Sequence, residues 1–74
     1  MKITEVQCLG KIISERRKKL GYTQQQVSDV TGLSTSFISD AEHGKTTLEL
    51  GKVIKLINIL GLDISVTARD ESAV

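Results

Sequence analysis

The chain has 74 residues, ten Lys or Arg against nine Asp or Glu, and a net charge of +1. A chain this short makes one domain with a small core, marginal without disulfides, metal or a partner chain. Its one cysteine, Cys8, excludes an internal disulfide and a cysteine metal cluster. Two aromatic residues are too few for a base-stacking RNA or single-strand platform.

Met1 to Thr4 is a short lead-in, where Ile3 between polar neighbours offers one strand-like step. Thr4 and Gln7 have the spacing of a capping box, which predicts a first helix starting near Glu5. Val6, Leu9, Ile13 and Leu20 fall within one arc of that helix, with Ile12 at its margin. Cys8 reads as a small apolar filler near its start. The helix closes on Gly21 after Arg16, Arg17, Lys18 and Lys19. That basic turn suits the negative end of a helix dipole, and phosphate contacts by one or two of these residues are compatible with it.

The stretch Thr23 to Gly44 predicts two short helices joined by a tight turn. Thr23 with Gln26 is a second capping box, Ser34 is an N-cap, and Gly32 between them supplies the left-handed residue of the turn. Stepping 100° per residue around Thr35–His43 puts Thr35, Ser36, Ser39, Asp40 and His43 on one side. Phe37, Ile38, Ala41 and Glu42 fall on the other. Short hydroxyl and carboxylate side chains cost helix propensity, and an ordinary wet face carries Lys and Glu instead. A face this thin, with groups that bond base edges, suits a DNA major groove.

Gly44, Lys45, Thr46 and Thr47 read as a turn and the next cap, with Glu49 in the first turn of a fourth helix. In that helix Leu48, Leu50, Val53, Ile54, Leu56, Ile57, Ile59 and Leu60 spread far beyond the stripe of a one-sided helix. A second chain is the expected cover, with Leu56, Ile57 and Leu60 in the interface. After Gly61, the residues Leu62, Ile64, Val66 and Ala68 alternate with polar ones, a period-two strand. A lone strand has no ladder, so it pairs either with its copy in a second protomer or with residues 1–4. Pairing across the dimer adds Leu62, Ile64 and Val66 to the interface. Residues 69–74 form a polar, frayed tail.

The pattern T-Q-x-x-V-x-x-x-x-G-x-S-x-x-x-I-S-x-x-E-x-G, from Thr23 to Gly44, resembles the helix-turn-helix of the phage-repressor-like (Cro/C1, XRE) family. Small Ser28 stands where that family has a small residue between its helices. The resemblance extends from Ile13 to Val66, and the ending TTLELGKVIKLINILGLDISV is similar to that of HipB-type antitoxins. It implies an all-α fold: a four-helix bundle of the lambda-repressor-like type with one C-terminal β-strand pairing across a homodimer, residues 1–68 as the domain.

By the resemblance, Gln24 contacts a backbone phosphate at the start of the second helix, and Thr23, Arg17, His43, Lys45 and Thr46 are further phosphate candidates. Thr35, Ser36 and Asp40 take the base-contacting positions, and Ser39 reaches base or phosphate. Family members often carry Gln, Arg or Asn there, so direct readout by Ser, Thr and an accept-only Asp is modest. The resemblance also pairs Arg17 with Glu42, a carboxylate on the inward side of its helix that needs a partner.

Residues 1–62 hold nine basic against six acidic residues, and residues 63–74 hold one against three. The basic surplus therefore lies with the helix-turn-helix, as contact with phosphates requires. The functional expectation is a homodimeric repressor on a palindromic double-stranded DNA operator. Within the HipB-like branch it would be an antitoxin that autoregulates its operon and holds a HipA-like kinase toxin inactive. The alternatives are a stand-alone repressor and an interaction module that does not read DNA. No constellation suits an enzyme, and nothing calls for a metal or cofactor. Without a signal peptide or a membrane-length apolar run, the expected location is the cytoplasm.

Overall fold

The computed structural model describes residues 3–69. Four helices follow one another: α1 (Val6–Lys19), α2 (Gln24–Thr31), α3 (Thr35–Glu42) and α4 (Leu50–Ile59). The two eight-residue helices are too short to stand alone in water, so their ends must be fixed by side chains and their faces by packing. Thr23 and Gln26 form the reciprocal capping box, with Thr23 Oγ1 accepting from the Gln26 amide at 3.0 Å and Gln26 Oε1 accepting from the Thr23 amide at 2.8 Å. Ser34 Oγ accepts from the Phe37 amide at 3.0 Å. Between the helices Gly32 takes φ +78°, a conformation that a side chain would oppose.

The turn is tied from inside as well. The Ser28 hydroxyl donates to the Leu33 carbonyl at 2.6 Å, so this small residue bonds across the turn in addition to leaving room. The buried Thr31 hydroxyl donates to Val27 O and accepts from the Leu33 amide.

The core gathers Ile13, Val27, Leu33, Ile38, Ala41, Val53, Leu56, Ile57 and Leu60, with Leu9, Phe37, Leu48 and Leu62 packed against it. The closest approach is between α1 and α3. A Cβ on Gly10 would lie 2.5 Å from the Ala41 carbonyl oxygen and 2.7 Å from that of Glu42. Gly44, just past α3, sits as tightly against the Gln7 backbone. Arg16 on α1 donates through Nε to the Leu60 carbonyl at 2.9 Å, fastening the end of α4.

Several expectations need correction. The Thr4–Gln7 capping box does not form: Glu5 is the cap residue of α1, without a side-chain cap bond. The cap of α4 is Glu49 rather than a threonine, and its carboxylate pairs with Lys52 at 3.2 Å. Cys8 is exposed and fills nothing. Leu56, Ile57 and Leu60 are at most 1% exposed within the chain itself, so they are core and not a dimer surface. The three other helices cover more of α4 than its breadth of apolar positions suggested. What they leave exposed is its flanks, Leu50, Ile54 and Ile59.

Residues 62–68 form no strand, and no strand occurs among the described residues. Leu62 is half-buried against the core of its own chain, while Ile64 is half exposed and Val66 is 93% exposed. A ladder needs a second strand, and none of the described residues supplies one. Met1, Lys2 and residues 70–74, where part of the lead-in and the tail were placed, lie outside the described residues.

Candidate nucleic-acid interface

The candidate surface is built from α3, the turn that follows it and the start of α2. Ile38 and Ala41 lock the dry side of α3 into the core, at 0% and 2% exposure. That fixes the rotation of the helix, and the opposite side follows. Ser36 and His43 are exposed, and Thr35, Ser39 and Asp40 are partly exposed around them. Phe37 packs against the core at the margin, with the Lys52 ammonium 5.9 Å from its ring centroid.

Two contacts tie side chains on this face. The His43 ring donates from Nδ1 to the Ser39 carbonyl at 2.7 Å, since a carbonyl only accepts. Lys45 lies 3.5 Å from the Asp40 carboxylate, both side chains about half exposed. Lys45 and Thr46 leave α3 on the surface, and Thr23 is exposed at the α2 cap.

Behind the face sits the ion pair. Arg17 Nε donates to Glu42 Oε2 at 2.6 Å and Nη2 to Oε1 at 2.9 Å, a two-pronged contact. Arg17 Nη1 donates to the Tyr22 carbonyl at 2.8 Å. The Gln24 carboxamide joins them, Nε2 donating to Glu42 Oε1 at 3.2 Å. Burial pushes the Glu42 carboxyl up, but the hydrogen bonds from Arg17 and Gln24 and the Arg17 charge outweigh it and hold the group below its ordinary range. The bond from Glu42 raises Arg17 above its ordinary value, against the opposing effect of burial.

Two site residues differ from expectation. Arg17 is 9% exposed and all three guanidinium nitrogens are engaged within the chain, so it is no phosphate contact. Gln24 is partly buried and spends one N–H on Glu42, which the sequence did not announce. Only its position at the start of α2, opposite the end of α3, pointed to it.

A polar, backbone-thin helix held outward on a four-helix body, its inner carboxylate neutralised, is the architecture of a helix-turn-helix transcriptional regulator. A helix-turn-helix family model matches residues 13–66, and the chain belongs to that family. It is similar to the uncharacterized HTH-type transcriptional regulator y4mF of Sinorhizobium fredii, with 33% identity over 63 residues, 85% of this chain and 83% of the relative. It is also similar to the HTH-type transcriptional regulator PuuR of Escherichia coli, with 34% identity over 56 residues, covering 76% of this chain and 30% of PuuR.

Among solved structures, the fold is shared with a chain of the HipA-HipB-O2-O3 complex, at TM-score 0.85 and 21% identity over 95% of this chain and 99% of that one. The HipB-O4 20mer complex matches at TM-score 0.84 with the same identity and coverage. No helix among the described residues is long and apolar enough to cross a membrane.

Proposed function

We propose that the protein is a repressor that binds double-stranded DNA as a homodimer, placing the Thr35, Ser36, Ser39 and Asp40 face of α3 in the major groove of each half-site. The observation that carries this reading is α3 itself: one side is sealed in the core and the other presents a set of short polar side chains. Thr23, Gln24, His43, Lys45 and Thr46 ring that face and contact phosphates. Asp40 accepts only, so it favours a cytosine amino group, and the hydroxyl groups read permissively. Much of the specificity then comes from half-site spacing and DNA shape.

The dimer uses surface that the chain leaves uncovered. Ile64 and Val66 on the C-terminal stretch pair with the same residues of a second copy, in a two-stranded ribbon flanked by exposed α4 positions. The likeness in fold to HipB chains, together with the resemblance of the sequence from Thr46 to Val66 to HipB-type endings, supports the narrower reading: an antitoxin that autoregulates its operon and restrains a HipA-like kinase toxin. The reading places it in the cytoplasm, at the operator when bound.

Selection of bound duplexes from a randomised pool tests the DNA reading. A palindromic consensus is expected, with affinity falling steeply with salt in proportion to the phosphates neutralised. Weak binding with no preferred site would leave a protein-interaction module. Asp40 favours that second reading, because its carboxylate, offset by Lys45 at 3.5 Å, is the one acidic group on a face that would meet phosphates. Co-purification with a kinase-like protein encoded next to this chain tests the toxin partnership.

A further inference from the structure

Resting on the DNA-binding reading above, we propose that Glu42 is a positioning residue for operator binding, acting through Gln24. The Glu42 side chain is 6% exposed and reaches no DNA itself. Its Oε1 nevertheless holds the Gln24 carboxamide at 3.2 Å while accepting from Arg17 Nη2 at 2.9 Å. The carboxylate is thus a fixed hub: Arg17 on α1 sets its orientation, and it in turn orients a side chain at the first position of α2.

A free glutamine samples many rotamers, and fixing it on DNA costs conformational entropy. Here that ordering happens at folding, before DNA arrives. One N–H is spent on Glu42, and the second N–H remains to donate to a phosphate oxygen beside the amides of the α2 N-terminus. The ion pair therefore serves the binding surface as well as the α1–α3 seam.

The test is a double-mutant cycle on the full chain. The probe is the duplex that the wild-type protein enriches from a randomised pool, and the temperature is one at which every variant is folded by circular dichroism. Gln24→Ala is expected to weaken binding about three- to tenfold per protomer, the size of one ordinary hydrogen bond. It should leave the slope of log K against log salt unchanged, since a neutral carboxamide neutralises no phosphate charge. Glu42→Gln is expected to lose a similar factor in the Gln24 background and nothing further in the Gln24→Ala background. Equal losses in both backgrounds would overturn the inference, since a purely structural role acts without Gln24.

Gln24→Asn leaves the Arg17–Glu42 pair intact and is safe for folding. It keeps an amide at the surface but is one methylene too short for the same bond to Glu42. It is expected to bind as poorly as Gln24→Ala, and wild-type affinity for this variant would overturn the inference. Enrichment of no duplex at all would instead overturn the DNA-binding reading, and the inference with it.

Discussion

The α1–α3 seam and the C-terminal third treat burial in opposite ways. At the seam every device closes inward. Gly10 lets two backbones touch, and Arg17 and Glu42 satisfy each other with Tyr22 O and Gln24 as further partners. From Leu50 onward the chain does the reverse: Val53, Leu56, Ile57 and Leu60 enter the core, while Leu50, Ile54, Ile59, Ile64 and Val66 stay at the surface. An open groove of about 470 Å³ between α2 and α4 adds Tyr22 and Val30 to that apolar exposure. The two regions thus differ in kind: the seam is finished by folding, whereas the other leaves apolar surface that the proposed dimer would cover.

The largest effect should come from breaking the closed region. Arg17→Ala strands a buried carboxylate and is expected to cost about 3–5 kcal/mol in urea unfolding. Gly10→Ala should follow at about 3 kcal/mol, because its methyl meets backbone oxygens that cannot rotate away. The sign is the informative part, since the same change at an exposed helix position stabilises by roughly 0.5–1 kcal/mol.

Acid offers a milder probe of the same seam. The Glu42 carboxyl is held below its ordinary range in the fold, so its stabilisation is present above the unfolded value. That stabilisation is lost as pH falls through the folded value. Melting temperature should therefore drop as pH is lowered from about 5, and Glu42→Gln should flatten that part of the curve. A wild-type curve already flat there would count against the depressed carboxyl.

Changes outside the seam should leave the folded chain almost untouched. Replacing Thr35, Ser36 and Asp40 together with alanine is expected not to destabilise the chain, any shift being a helix-propensity gain of about 0.5 kcal/mol per residue, while removing sequence preference in DNA binding. Ile64→Ser with Val66→Ser should shift chain stability even less. Their effect is expected in sedimentation equilibrium, as weakened self-association. A large loss of chain stability instead would mean that this stretch belongs to the core.

What was legible in the sequence was local. The Thr23–Gln26 capping box, the Ser34 cap, the Gly32 turn and the two sides of α3 all follow from spacings of three or four residues. Their neighbours are dictated by the helix itself. The Arg17–Glu42 pair, 25 positions apart, was carried by family resemblance. What stayed hidden depends on how helices cross. Gly10 looks like any helix glycine until Ala41 and Glu42 are placed against it. The α4 periodicity told which residues are apolar but not that the other helices suffice to cover Leu56, Ile57 and Leu60. The Gln24 bond needed the start of α2 and the end of α3 in one place. The Thr4–Gln7 spacing misled because a capping motif is only an offer, and the chain declined it in favour of Glu5.

The bond from Arg16 to the Leu60 carbonyl joins the two regions. It bolts the end of α4, from which the stretch beyond Gly61 continues, to the helix that also carries Arg17 and, through Glu42, the α3 face. In the proposed dimer, a ribbon formed by that stretch would hold the two α3 faces at a set distance and angle, like the jaws of a caliper with no sliding joint. One added base pair between half-sites would then have to be absorbed by the DNA, through twist or bend, rather than by the protein.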